Sequence, residues 1–460
     1  MTQTNKALTL TEGVIWKQLL LFLLPIAVGT LFQQLYSTVD AVIVGQFVGS
    51  NALAAVGGSA AIILQSMVGI FTGLASGATV VISHAYGAMD QKRLTRAVHT
   101  AVAFSILAGA IFTVVGIALA PDALRWTKNP SETMADATLY LRLFFLGTIP
   151  MLLFNMGSGI LRAIGDSRRP LYYLIAACLL NIVLDLVFVA GFKMGVAGAA
   201  IATTLANLAS AVFILVQLTR TTDTYRVIPK KIRLHRATLV HILGIGVPAA
   251  IEGSMYAISN LFIQIPINDL GTNAVAAWSA TEKVDGIYWA LIVSFGVAIM
   301  AFVGQNYGAG KYDRMRASVR VCLKMAMAMT IFLSILLLLF AKYCFRLFTD
   351  NSTVILYASQ IVSYFAPFYF IWTFIEVIAN ALRGAGDALM PMIISVGGIC
   401  GLRILWVVLV IPHWHNLLSI SMSYPVSWLV TAVILIIYYL KGRWLKPDAV
   451  SEDGTPPPLP

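Results

Sequence analysis

The chain has 460 residues, of which 59% are hydrophobic and 11% charged, with a formal net charge of +11. A soluble domain carries about 25% charged residues, and a chain of this length could not hide so much apolar surface from water. A soluble globular protein is therefore excluded and a polytopic membrane protein expected, in which the positive charge reports orientation in the bilayer rather than nucleic-acid binding.

Residues 1–16 are polar and read as a cytoplasmic N-terminal segment; the apolar stretch that follows is too long for a signal peptide. Apolar runs of about 20 residues, enough to cross a bilayer as helix, predict spans 1–6 at 17–44, 52–82, 97–120, 134–160, 170–190 and 196–219. They make an N-terminal six-helix lobe over 17–219. Gly69, Gly73 and Gly77 on span 2 form a small-xxx-small ladder that lets helices approach closely. Segment 220–237 is a basic cytoplasmic linker. Spans 7–12 follow at 238–267, 275–304, 317–341, 353–381, 390–411 and 417–440, a C-terminal lobe over 238–440. The tail 441–460, with Pro456-Pro457-Pro458, reads as cytoplasmic and disordered.

The two lobes repeat one another. Leu161-Arg162-Ala163-Ile164-Gly165-Asp166 returns as Leu382-Arg383-Gly384-Ala385-Gly386-Asp387, and Tyr86-Gly87-Ala88 as Tyr307-Gly308-Ala309, each 221 residues later. Asn51-Ala52-Leu53-Ala54-Ala55 returns as Asn273-Ala274-Val275-Ala276-Ala277. Six spans per half give both halves the same orientation, a parallel duplication typical of secondary transporters. The fold expected is an all-α membrane protein of 12 helices in two pseudo-symmetric six-helix bundles. Of the 31 Lys and Arg, Arg125, Lys128, Lys193, Lys342 and Arg346 fall in one set of loops and Arg142, Lys283 and Arg403 within spans. The others lie in the termini, the opposite loops and the span ends that adjoin them (Lys17, Arg320 and Lys324), which makes both termini cytoplasmic.

Charges inside spans are costly and mark function. Six acids qualify: Asp40, Asp185, Glu252, Glu282, Asp285 and Glu376. By helical rise, Asp40 on span 1, Asp185 with Asn181 on span 5, and Thr203 and Thr204 on span 6 share a level about 6–12 Å below the outer surface. Two carboxylates, an amide and a hydroxyl at one depth suit a proton or sodium ion. In the second half Arg403 lies at the depth of Glu282 and Asp285, and an ion pair is expected there; Glu252 has no evident basic neighbour and is a candidate for substrate contact. Glu376 sits nearer the cytoplasm. Tyr36 and Tyr256 are among the aromatics that could hold an organic cation by cation–π contact. The LRxxGD turns read as architecture, with Gly and Asp making the turn. No phosphate loop, HExxH or CxxC occurs, and His413 and His415 form no convincing ligand set, so neither an enzyme, an ATP-driven pump nor a cofactor-binding protein is expected.

Pro25, the run Gln33-Gln34-Leu35-Tyr36-Ser37-Thr38-Val39-Asp40, the Asn51–Gly57 segment and the paired YGA and LRxxGD turns resemble the multidrug and toxic compound extrusion (MATE) family, notably its prokaryotic DinF-like branch. The resemblance runs from about residue 14 to 440. It implies two lobes in a V that export organic cations against a proton or sodium gradient, with a cation site at Asp40, Asn181, Asp185 and Thr203. Glu252, Glu282, Asp285, Glu376, Tyr36 and Tyr256 remain candidates for a substrate or secondary site. The expected protein is a monomeric antiporter in a prokaryotic cytoplasmic membrane, without cofactor, acting on small cationic amphipathic compounds. The rival readings are a flippase for lipid-linked precursors, which would favour cations in its cleft, and a non-transporting receptor.

Overall fold

The computed structural model describes residues 9–127 and 129–442; most of the tail expected to be disordered lies outside them. In lipid every backbone N–H and C=O must be satisfied within its own segment, and the described chain is helical nearly throughout. Spans 1–3 are Ile15–Phe47, Ser59–Gly87 and Gln91–Trp126, with a short helix Ser50–Gly57 leading into span 2. Span 4 was expected to be continuous and is instead Met134–Leu146 followed by Thr148–Ala163, bent by 50°. Gly147 sits at the break, where a helix is least strongly held. Span 5 is Arg168–Asp185 closed by a π turn Leu186–Gly191, and span 6 is Gly195–Arg220. Spans 7–9 are Arg236–Asp269, Thr272–Gly308 and Tyr312–Arg346. Span 10 joins Ser352–Phe365 to Tyr369–Gly384 through a 3-10 turn at Ala366–Phe368, the position that repeats the break in span 4. Span 11 runs from Leu389 to Leu409 through a π turn at Val396–Gly401, and span 12 is Leu417–Leu440. Counting the bent pair once, twelve spans are long and apolar enough to cross a bilayer among the described residues.

The helices outrun their apolar cores at the end that carries the YGA and LRxxGD turns and the linker, here called the basic face. Span 3 starts at Gln91 rather than 97 because Asp90 caps it, its side chain accepting from Arg93 N–H at 3.0 Å.

Packing at the basic face crosses the halves. Leu19, Phe22, Leu23 and Ala27 of span 1 bury themselves with Tyr307, Met315 and Val319 of the second half. Ile242, Ile245 and Ala250 of span 7 do the same with Ala97, Val98 and Leu161 of the first. The chain entering each crossing helix is strapped down. Arg314 at the start of span 9 donates to the carbonyls of Glu12 (2.6 Å) and Gly13 (2.8 Å) and to Gln18 Oε1 (2.7 Å). Over span 3, Ile228 N–H donates to His99 Nε2 (3.0 Å) and His235 N–H to Thr100 Oγ1 (3.3 Å).

The glycine ladder of span 2 packs as expected, and its partner is span 7. A Cβ placed at Gly69 would meet the backbone of Gly253 at an ordinary 3.5 Å, whereas at Gly73 and Gly77 it would strike Ala249 C and Gly246 N, each at 2.7 Å. The seam therefore tightens toward the basic face. There the YGA glycines meet across the pseudo-twofold: a Cβ at Gly87 would lie 2.8 Å from Gln305 C, and one at Gly308 2.8 Å from His84 C. Two hydrogen bonds fasten this junction. His84 Nε2 donates to the Gly384 carbonyl (2.8 Å), and Gln305 Nε2 to the Ala163 carbonyl (2.7 Å). They are the same bond made twice, since His84 and Gln305, like Ala163 and Gly384, are repeat partners.

Candidate functional site

A cavity of about 440 Å³ lies within the first half, lined by spans 1, 2, 4, 5 and 6. That volume is within the range of small-molecule sites. The corresponding region of the second half is packed with aromatic side chains. Tyr288 and Tyr369 stack at 4.3 Å, Trp289 and Trp372 meet edge-on at 4.9 Å, and Trp428 is 1% exposed among them. The aromatics expected as candidate cation holders there are packing residues.

At one end of the first-half cavity the structure brings together the four residues predicted from depth. Asp40, Asn181 and Thr203 line the wall, and Asp185 lies behind them, fully buried. With its amide nitrogen turned toward Asp185, Asn181 donates to Asp185 Oδ2 (3.0 Å) while its oxygen accepts from Thr203 N–H (3.3 Å). The carboxyl groups of Asp40 and Asp185 are electrostatic neighbours. Asp40 Oδ1 and Asp185 Oδ1 are buried without a protein partner among the described residues. An oxygen-only donor set with two orphaned carboxylate oxygens fits a hard cation, and equally a proton shared between the acids. Tyr36 lines the same cavity, joined by Tyr140, which sequence reasoning did not single out. Arg142, which falls within span 4, is exposed.

The second-half acids are arranged differently from expectation. Arg403 does not pair with Glu282 or Asp285; it lies over the Tyr424 ring at 3.9 Å and donates to Asn260 Oδ1 at 3.2 Å. Depth had placed these groups on one level but could not say which way each faced. Glu282 accepts from Trp278 Nε1 (3.2 Å), and Asp285 is buried. Glu252, expected to lack a basic neighbour, forms a buried ion pair with Arg383 and accepts from the Tyr256 hydroxyl at 2.9 Å. Glu376 accepts from Asn380 Nδ2 (2.8 Å) and sits against Gly296, where a Cβ would fall 3.0 Å from its Cδ. Arg383 is the arginine of the second LRxxGD turn, and its first-half partner Arg162 lines the cavity. Both were read as turn residues. Each lies just beyond the expected span end, at 160 or 381, and the helix runs on to include it.

The profile of the MatE family matches residues 25–187 and again 248–409. A probable multidrug resistance protein, YoeA of Bacillus subtilis, is 27% identical over 92% of this chain and 93% of its own length. A second from the same organism, YpnP, is 27% identical over 95% and 98%. Among solved structures, an outward-facing conformation of a multidrug resistance MATE family transporter of the MOP superfamily superposes with a TM-score of 0.89 at 22% identity, covering 97% of this chain and all of that one. A MOP superfamily transporter from Pyrococcus furiosus gives 0.88 with the same identity and coverage. The chain is therefore a multi-pass membrane protein of the MatE family of multidrug efflux transporters.

Proposed function

We propose that the protein is a secondary antiporter that exports small organic compounds with a cationic centre in exchange for protons or sodium ions. Asp40, Asn181, Asp185 and Thr203 hold the coupling ion, which is cargo rather than cofactor. The observation that carries this reading is the facing pair Asp40 and Asp185, each with an unpartnered oxygen, at the end of a drug-sized cavity. Tyr36 and Tyr140 stand beside it as aromatic walls for the cation. By the distribution of Lys and Arg, the basic face is cytoplasmic. The structure is then closed toward the cytoplasm by the span 2–span 7 seam, and a monomer suffices because one half encloses the cavity. Entry of the ion from outside displaces the substrate, after which the lobes rock. A membrane potential adds about 2.3 kcal/mol per charge per 100 mV, about a fortyfold bias.

The test is dye export from proteoliposomes under a pH gradient and a sodium gradient imposed separately. One gradient should drive export of ethidium by the wild type, and Asp40→Asn should abolish it while inserting normally. Normal export by Asp40→Asn would refute the mechanism. Absence of flux under both gradients in folded wild-type protein would favour the flippase.

A further inference from the structure

The duplication supplies an internal control for one residue the antiport mechanism leaves unused. In the second half, Arg383 is neutralised by Glu252, and its Nη1 donates to Asn380 Oδ1 at 3.2 Å, beside Glu376. In the first half each of those partners is missing. With Pro25 set on Pro248, Gly29 falls on Glu252; through the LRxxGD turn, Asn155 falls on Glu376 and Gly159 on Asn380.

Arg162 is accordingly left with no ion pair or hydrogen bond among the described residues. Its sequence neighbour Asp166 is committed elsewhere, accepting from Arg168 and Arg169 N–H (3.1 Å each) and pairing with Arg169 Nη1 at 3.3 Å. Arg162 Nε, Ser158 Oγ and Ser167 Oγ are all buried without partners, and all three residues line the cavity. Ser158 and Ser167 are each 3% exposed. A guanidinium is always charged and presents its donors as a planar fork matched to carboxylate and phosphate oxygens. Arg162 is half-buried in the cavity wall, where an unpaired charge carries a desolvation cost, and the second half shows that the group which relieves this arginine is a carboxylate.

This cluster is at the opposite end of the cavity from Asp40. Pro170 and Asn181, both in the wall, are about 16 Å apart along span 5 by helical rise. We infer that Arg162, with Ser158 and Ser167, forms an anion-binding subsite at the basic end of the cavity, and that the compounds held best carry a carboxylate or phosphate in addition to a cationic centre. The inference rests on the cavity being the substrate chamber, and it narrows the substrate class from cations to zwitterionic amphiphiles.

The experiment is equilibrium binding to the purified full chain in uncharged detergent micelles, by fluorescence anisotropy, with two probes that differ at one group. Rhodamine B bears a cation and a carboxylate; its ethyl ester bears the cation alone. Wild type should bind rhodamine B more tightly by about tenfold or more, the scale of a hydrogen bond to a charged group. Arg162→Ala should erase that preference by weakening rhodamine B and leaving the ester unchanged, while Arg162→Lys keeps part of it. Gly29→Glu puts a carboxylate where the second half has Glu252, and should erase the preference with Arg162 still present. A Cβ at 29 would lie 3.4 Å from Leu171 and Leu174 side-chain atoms, at the near edge of ordinary contact, and Gly29 itself lines the cavity. Equal loss for both dyes in Arg162→Ala, or no preference in wild type, would overturn the proposal. Displacement of rhodamine B by phosphatidylglycerol from wild type but not from Arg162→Lys would assign the site to a lipid phosphate and overturn the small-substrate reading. Because no gradient is imposed, these results stand apart from the outcome of the Asp40→Asn transport test.

Discussion

The doubled bond at the basic face makes a quantitative prediction about conformational balance. His84→Ala removes the donor to the Gly384 carbonyl, and Gln305→Ala removes the donor to the Ala163 carbonyl. Both residues are almost fully buried, at 2% and 1% exposure, and a buried hydrogen bond contributes about 1 kcal/mol net, or about a fivefold change in equilibrium. Because the two bonds are repeat partners, the single variants should shift the closed-to-open ratio at this face by similar factors, and the double variant by about thirtyfold if the sites act independently. Spin labels at Lys92→Cys and Asp313→Cys, exposed repeat partners at the starts of spans 3 and 9, would report the separation by pulsed electron resonance. The native Cys178, Cys322, Cys344 and Cys400 would first be replaced. The long-distance population should grow in the order wild type, singles, double. An unchanged distance distribution in a folded double variant would show that the seam alone holds the face shut. A large effect from one single and none from the other would refute the symmetric reading.

Other consequences concern neighbouring parts of the bundle. Gly77→Leu has no room against Gly246 and should raise cysteine accessibility at the basic face, whereas Gly69→Ala, with 3.5 Å to Gly253, should leave it unchanged; equal behaviour would refute the tapering seam. Arg383→Ala strands Glu252, which is 4% exposed, and should cost about 3–5 kcal/mol in a reversible melt. Adding Glu252→Gln should recover part of the loss; a wild-type melt for Arg383→Ala would mean the pair is not structural. His99→Ala with Thr100→Val unfastens the linker and should speed tryptic cleavage at Lys230 and Lys231 several-fold, with unchanged rates counting against the strap. Burial, with Arg233 and Arg96 nearby, holds His235 below the usual imidazole range. The folded linker thus favours the neutral ring, and its protection from trypsin should be fullest above about pH 6.5 and fall as acid charges the ring.

The spans were legible because bilayer thickness dictates their length, and the four-residue cation cluster because helical rise converts position into depth. Azimuth was not legible. Arg403 and Asp285 share a level yet face different neighbours, and Glu252 found Arg383 on a helix that depth alone did not connect to it. The bend at Gly147 was missed since the apolar run continues through it. The repeats were visible as repeats, but nothing in one copy announces that it will bond to the other. The aromatic packing of the second half depends on side chains from three helices meeting at one point.

The crossing of spans 1 and 7 has a consequence for how the protein is made. When the ribosome has delivered the sixth span, the first half still lacks Ile242, Ile245 and Ala250, which complete its core, and the chain that covers the start of span 3 has yet to emerge. Meanwhile the basic-face half of span 1, already in the membrane, has no second half to receive Leu19, Phe22 and Leu23. The nascent first half is therefore an unfinished object that waits in the bilayer for its sibling. A duplicated gene that began as two separate subunits would have gained a reason to stay fused once each copy came to depend on the other's first helix.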